Sequence, residues 1–233
     1  LGSSLAWAEA LRQRGHKVTC IVPNRFPYYL EWMSGLEDMV IFKCDEEHRA
    51  AAAVAEAELI FCLDFHSLHR LDAPLSELIA SNTTARRILI DHHLDPPQEF
   101  DIMFSYPDAS STSYLVYKVI EALWGAQSVT AKQAEVLYVG MMTDTGNFSF
   151  SHLTPDLYMS LAVLCATGIN IPQIYNNVYN SFTEGRARLF GYTINRKMKT
   201  LRKGTVAYMS LTEAEMRRFW FQQGDNEGFV NYP

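Results

Sequence analysis

An acid followed by two histidines closes the segment RRILIDHH, residues 86–93. A neutral imidazole can ligate a divalent ion, and a carboxylate can bridge two ions. Asp91 could also hold one imidazole in place by accepting its N–H, as a carboxylate beside a metal ligand does. The other histidine would then face a substrate phosphate as a donor or general acid. These residue types in sequence, Asp91, His92 and His93, favour a chemical site over a simple turn.

A second acid closes another strand-like segment, ELIFCLD at residues 58–64. Asp64 lies 27 residues before Asp91, which is about the length of one strand–helix–strand unit. In a parallel sheet the carboxyl ends of the strands meet at one edge, where sites form. A single aspartate at a strand end is usually a cap for the following turn. Two such acids beside a pair of histidines favour a shared site.

A third acid, Asp144, stands in GMMTDTGNFSF at residues 140–150, where a helical pattern ends before Gly146. A carboxylate at a helix C-terminus opposes the helix dipole, which costs about 0.3–1 kcal/mol in exposed cases. A bound cation would offset this cost. A turn in which Asp144 bonds its own backbone fits the pattern equally well, so the residues alone leave both interpretations open.

Other candidate motifs carry less chemical information. His66 and His69 in DFHSLHR have an H-x-x-H spacing without the glutamate or cysteine partners of common zinc motifs, which favours a surface loop. The stretch ASSTS, residues 109–113, is typical of a cap for the helix that follows. The sequence has no G-x-S-x-G elbow and no phosphate loop with lysine, so nucleophilic hydrolysis has little support.

The elements that must position these residues alternate between strands and helices. Short β-rich segments at 17–22, 39–43, 58–64 and 86–91 are separated by helical or turn segments. This alternation predicts an α/β fold, a parallel sheet with flanking helices and right-handed crossovers. Further helices are predicted at 113–123, 131–142, 155–166, 172–181 and 184–201. A strand at 205–211 and a helix at 212–221, with a capping box of Thr212 and Glu215, would begin a second α/β domain.

Composition restricts the class of protein further. Nearly half of the 233 residues, 48%, are hydrophobic, which is enough for a sizeable core. The net charge of −6 argues against a general electrostatic grip on nucleic acid, although metal ions could supply positive charge locally. Four cysteines without paired spacing predict free thiols in a reducing cytoplasm. We see no signal peptide and no apolar run of roughly 20 residues, so we expect no membrane partner.

Several motifs in this order identify a family resemblance. They are LGSSLAWAEALRQRGHKV, FCLDF, RILIDHHLD, ASSTSYLVYK, GMMTDTGNFSFSH and EGFVNYP. With them the chain resembles the DHH phosphoesterases, most closely the bacterial oligoribonuclease/pAp phosphatase branch formerly labelled exopolyphosphatase-related. The resemblance implies a two-domain α/β enzyme. Its parts would be a DHH catalytic domain at 1–183, a connector helix at 184–203, and the beginning of the DHH-associated substrate-binding domain at 204–233.

The same resemblance implies roles for the site residues. Two manganese ions would lie between the domains, with magnesium as the alternative. Asp64 would bridge the two ions, and His92 and Asp144 would ligate the same one. Asp91 would orient His92, and His93 would contact the scissile phosphate. Hydrolysis would then use two ions about 3.5–4 Å apart to activate a water and neutralise the phosphate oxygens.

This sequence departs from the family pattern at three places. Family members carry an H-x-x-x-D-x-D-type loop directly before the position of LGSSL, and this loop donates a histidine and two aspartates to the metals. Relatives also carry a glycine-rich loop with a histidine in the second domain, and many have arginine where Ser149 stands. We therefore expect a chain that is incomplete at both ends and that supplies only part of the family's site.

The activity implied by the resemblance is hydrolysis of short RNA or DNA oligonucleotides and of 3′-phosphoadenosine 5′-phosphate. A cyclic-dinucleotide phosphodiesterase or a pyrophosphatase or polyphosphatase of the same family is the enzymatic alternative. A non-catalytic nucleotide-binding module that kept the fold is the alternative from another class. A homodimer is compatible with the sequence, although no interface is legible in it.

Overall fold

Short parallel strands and the helices between them build the first of two compact units in the computed structural model, which describes residues 1–150 and 152–232. This first unit comprises residues 1–24 and 33–171, and the second comprises 25–32 and 172–233. Ser151, within GMMTDTGNFSFSH, and Pro233, the end of the predicted second domain, lie outside the described residues.

The first unit alternates strands with helices, as the sequence predicted. In chain order they are α1 (Gly2–Arg12), β1 (Ile21–Val22), β2 (Val40–Ile41), α2 (Arg49–Glu56), β3 (Leu59–Leu63), α3 (Ala73–Ser81), β4 (Arg86–Asp91), β5 (Ile102–Ser105), α4 (Thr112–Trp124), α5 (Ala131–Asp144) and α6 (Pro155–Ala166). No single helix in the described part of the chain is long and apolar enough to cross a membrane, and one pair of successive helices passes that test only jointly.

The strands of the first unit are all parallel, as predicted, but they form two sheets. One sheet has the order β3–β4–β5 and the other is β1–β2. Of the predicted strand at 17–22 only β1 is regular, because its ladder with β2 begins where the Val40 N–H donates to the Cys20 carbonyl at 2.9 Å. Beside it lies a cavity of about 740 Å³, lined by residues 16–23 on one side and 56–65 on the other.

Helices cover both faces of the three-stranded sheet. On one face Cys62 and Leu89 pack with Leu75 and Ile79 of α3 in a buried cluster. On the other face α1, α4 and α5 pack against one another. Gly140 makes the close approach of α5 to α4 possible, since a Cβ there would lie 1.9 Å from the Ser113 hydroxyl oxygen. The C-terminal end of α5 is thereby held near the start of α4.

The second unit contains α8 (Glu184–Tyr192), β6 (Lys199–Leu201), β7 (Val206–Tyr208) and α9 (Glu213–Arg218), and α7 (Ile171–Tyr175) begins at its boundary. The predicted helix at 184–201 is wrong in its last turn. The chain becomes extended at Met198, and β6 pairs antiparallel with β7 through a turn in which Lys203 and Gly204 have positive φ. The predicted capping box of Thr212 and Glu215 is confirmed. The predicted domain boundaries stay a prediction.

Candidate metal centre

Three of the predicted site residues meet at the carboxyl edge of the three-stranded sheet. Asp64 directly follows β3, His92 directly follows β4, and Asp144 is the last residue of α5. The Nε2 atom of His92 lies 3.8 Å from Oδ1 of Asp64 and 3.8 Å from Oδ2 of Asp144. These separations suit atoms that share one cation, because ligands bound at about 2.1 Å lie roughly 3–4 Å apart. Asp64 and His92 form, with His93, a group whose ligand atoms all lie within 4.8 Å of one another, so these residues can receive a divalent ion, and Asp144 approaches this group at His92.

The hydrogen bonding of His92 leaves the lone pair of Nε2 available for a metal ion. Its Nδ1 lies 3.3 Å from the carbonyl oxygen of Ala109, which can only accept, so Nδ1 carries the proton and donates it. Nε2 then presents a lone pair toward Asp64 and Asp144, as a metal-ligating histidine does. Sequence reasoning missed the role of Ala109, because a backbone carbonyl leaves no signal in the residue type.

Asp91 orients His93 and not His92, which corrects the expectation from the sequence. Oδ1 of Asp91 accepts from Nδ1 of His93 at 2.7 Å, and Oδ2 accepts from the His93 backbone N–H at 3.2 Å. Side chains alternate along an extended segment, so residues 91 and 93 share a side while residue 92 points to the other. Asp91 is fully buried, and the His93 side chain is 43% exposed.

Asp64 is fixed by its backbone and by a threonine that sequence reasoning assigned only to a helix cap. Its φ of 70° lies in the left-handed region, which is uncommon for residues other than glycine and is frequent at functional sites. The hydroxyl of Thr112, buried at the start of α4, donates to Oδ1 of Asp64 at 2.9 Å. The capping role in ASSTS falls to Ser111, whose side chain accepts from the Tyr114 N–H. Thr112 thus belongs to the candidate site through its hydrogen bond to Asp64.

The raised pKa of Asp144 is typical of a carboxylate at a cation site. Desolvation, the largest effect, and the nearby Asp64 carboxylate together raise the pKa of Asp144 to about 6. His92 acts in the opposite direction but only partly offsets these effects. A divalent ion between the two carboxylates would reverse the repulsion between them. The position of Asp144 relative to His92 favours a ligand over a turn, although its assignment stays a prediction.

His66 also lies at this edge, where the sequence favoured a surface loop. Ligand atoms of His66, Asp91 and His93 lie within 4.8 Å of one another, and so do those of Asp64, His92 and His93. The rings of His66 and His93 are 5.9 Å apart, and Nδ1 of His66 is buried without a partner among the described residues. His69 is exposed, as expected for a loop. Carboxylate and imidazole donors together suit Mn²⁺, or Mg²⁺ with fewer imidazoles.

Comparison with known proteins adds a family and a solved structure. The family model described as DHH family, N-terminal domain, matches residues 1–141, which is more than half of the chain. The crystal structure of an exopolyphosphatase-related protein from Bacteroides fragilis superposes with a TM-score of 0.91 at 39% sequence identity. That match covers 100% of this chain and 67% of the other. The similarity therefore includes the residues of both compact units.

Curated relatives are more distant. An uncharacterized protein of Mycoplasma pneumoniae, an MG371 homolog, is 30% identical over 133 residues, which are 57% of this chain and 39% of that protein. The bifunctional oligoribonuclease and PAP phosphatase NrnA of Bacillus subtilis is 26% identical over 98 residues, which are 42% of this chain and 31% of that protein. This chain thus spans about a third of the length of these curated relatives.

Proposed function

Because this chain belongs to the DHH family, we propose that it is a metal-dependent phosphoesterase acting on short oligonucleotides and on 3′-phosphoadenosine 5′-phosphate. DHH phosphoesterases are metal dependent, and the homologues in the family are hydrolases. The observation that carries the proposal is the convergence of Asp64 and Asp144 on the free Nε2 of His92 at 3.8 Å each. We propose manganese as the ion, with two ions in the working enzyme, because imidazole donors favour it over magnesium.

Each residue of the proposed site would have its own role in hydrolysis. Asp64, His92 and Asp144 would hold a divalent ion, which when bound supplies Lewis-acid activation of the phosphate and a water of lowered pKa. Thr112 keeps the Asp64 carboxylate in place. Asp91 fixes the His93 ring through Nδ1, so that Nε2 would be the nitrogen to meet a phosphate oxygen. There Nε2 can donate to the phosphate or return a proton to the leaving group when the ring is protonated.

Two substrate classes have support from named relatives. The Bacillus subtilis relative is called an oligoribonuclease and PAP phosphatase, which supports nucleotide substrates for this chain. The Bacteroides fragilis structure is described as exopolyphosphatase-related, which supports a phosphoanhydride substrate as the second candidate. We propose a cytoplasmic location, which the four free cysteines support because a reducing compartment keeps thiols unpaired. A homodimer stays a prediction.

A substrate panel tests the proposed function. We expect Mn²⁺-dependent release of mononucleotide or phosphate from 3′-phosphoadenosine 5′-phosphate and from the dinucleotide pApA, and loss of both activities on chelation with EDTA. Cyclic di-AMP and pyrophosphate in the same assay separate the enzymatic alternatives. Turnover that persists in EDTA would contradict the metal centre. The absence of turnover on every substrate with Mn²⁺ or Mg²⁺ would leave the non-catalytic nucleotide-binding module as the better interpretation.

A further inference from the structure

An exposed apolar stripe runs along the outer strand of the three-stranded sheet. Ile102, Phe104 and Tyr106 alternate along β5 and the residue after it, so they share one face of the sheet. They are 41%, 37% and 57% exposed, whereas Ile88 and Ile90, their register partners on β4, are buried. β5 lies at the edge of this sheet. The stripe is therefore apolar surface open to a ligand.

The stripe leads directly to the metal centre. Since Asp91 is in register with Ser105, the next pair along the two strands is His92 and Tyr106. The Tyr106 N–H donates to the Asp91 carbonyl at 3.0 Å, and the Tyr106 carbonyl accepts from the Ala109 N–H at 2.9 Å. The same turn supplies the Ala109 carbonyl that holds Nδ1 of His92. Tyr106 thus stands at the end of the stripe, one strand spacing from a proposed metal ligand.

The chemistry of this turn suits a nucleobase better than a second phosphate. A tyrosine ring offers a flat apolar face, and every base has a π-face that stacks on such a ring. Leu94, which follows His93, is a further exposed apolar residue, at 70%. The charged residues that flank this surface in sequence, Asp95 and Asp108, are acidic and exposed, which disfavours an inorganic polyphosphate chain.

We propose that Tyr106 stacks against the base of the nucleotide whose phosphate is bound at the metal centre. This inference rests on the proposed function and narrows its substrate class to nucleotides. Tyr106 would be a specificity-determining residue, because it contacts the base while the metal ligands contact the phosphate. Phe104 would continue the same surface away from the metal centre.

Binding of two phosphate ligands tests the inference. Calorimetry with Mn²⁺ present compares adenosine 5′-monophosphate with ribose 5-phosphate, which carries the same phosphate and sugar without the base. We expect the base to strengthen binding by about 5- to 150-fold, the usual range for one stacked base. Tyr106→Ala should remove this advantage and leave ribose 5-phosphate binding unchanged, while Tyr106→Phe should keep it. Tyr158→Ala is the matched control, because Tyr158 is also about half exposed but lies on α6.

Other outcomes overturn the inference. These are equal binding of both ligands by the wild-type protein, no measurable binding of either, an unchanged base advantage in Tyr106→Ala, or an equal loss of both ligands in that variant. Hydrolysis is measured separately on the same preparations. A base advantage that depends on Tyr106 in a protein without turnover would refute the proposed function alone. Turnover of pApA without any effect of Tyr106→Ala would refute the stacking role alone.

Discussion

Two acidic residues, one in each compact unit, have opposite electrostatic environments. Glu215 in the second unit accepts from the Tyr192 hydroxyl at 2.5 Å, the Thr212 N–H at 2.8 Å and the Lys197 ammonium at 2.9 Å. These hydrogen bonds, first the one from Tyr192, lower its pKa to about 2. Asp144 in the first unit lies near Asp64, and desolvation together with that carboxylate raises its pKa to about 6. Hydrogen bonds from the chain stabilise the charged form of Glu215, whereas the surroundings of Asp144 disfavour its charged form.

The contrast between the two carboxylates indicates which unit binds a cation. A carboxylate in a structural role gathers donors from its own protein, as Glu215 does. Asp64 and Asp144 instead face Nε2 of His92 at 3.8 Å, which is beyond hydrogen-bond distance. The repulsion between them is tolerated more readily where a cation compensates it. We therefore interpret the first unit as the metal-binding part of the chain and the Glu215 cluster as structural.

The largest expected effect is loss of catalysis in the first unit. Asp64→Ala and His92→Ala should each lower kcat/KM by about 10³-fold or more, because several kcal/mol of charge stabilisation by the ion is lost. Circular dichroism should show that both variants stay folded. Glu215→Ala should retain nearly full activity in the same assay. Near-normal turnover in either site variant would contradict the metal assignment.

A smaller effect is expected from the residue that holds Asp64. Thr112→Val removes the hydroxyl that donates to Oδ1 of Asp64 but keeps the shape of the side chain. Mn²⁺ affinity, followed by electron paramagnetic resonance, should fall by about 10- to 100-fold. Thr130→Val is the control, since Thr130 caps the opposite end of α5 and should affect stability without affecting the metal. Equal affinities in the two variants would contradict a role of Thr112 in metal binding.

Removing the Asp144 charge should separate stability from metal binding. Without metal, Asp144→Asn should raise Tm by a few degrees, because it relieves burial of a charge and repulsion by Asp64. The same variant should lose the increase in Tm that Mn²⁺ gives the wild-type protein by binding the folded state. Scanning calorimetry with Mn²⁺ or EDTA measures both effects. A lower Tm in EDTA together with an intact Mn²⁺ response would show that Asp144 serves the fold.

The smallest effect concerns the acid sensitivity of the second unit. The pKa of Glu215 is lowered in the folded state, so its contribution to stability is present above its ordinary pKa of 4.5 and is lost as the pH falls toward about 2. Glu215→Gln should therefore lower stability slightly at neutral pH and flatten its decline in acid. Urea unfolding between about pH 5 and pH 3 measures this difference. If the unfolding free energies of the two proteins had the same pH dependence, Glu215 would have no stabilising role as a charged group.

Much of the fold could be predicted because the pattern is local. The strand β4 and the helix α6 match their predicted ranges, since each is bounded by residues that start or stop the element. The split of the parallel strands into two sheets could not be predicted, because strand pairing depends on residues distant in sequence. The end of the helix predicted at 184–201 was wrong, because the pairing of β6 with β7 overrides a helical pattern.

The candidate site divides in the same way. Asp64, His92 and Asp144 could be proposed from residue type and position at the ends of elements. Their supports could not, because Thr112 reaches Asp64 across 48 residues and the Ala109 carbonyl reaches His92 across 17. The partner of Asp91 was misassigned, since the choice between His92 and His93 depends on which side of an extended chain each ring takes.

The cavity between β1 and β3 has a practical consequence for handling the purified protein. Among the described residues β3 pairs only with β4, so its other edge presents a row of backbone N–H and C=O groups. Such a row is a template on which an extended peptide, including one from a second copy, can add as a further strand. Concentrated stocks should therefore form soluble aggregates over time, and light scattering at increasing concentration would detect them.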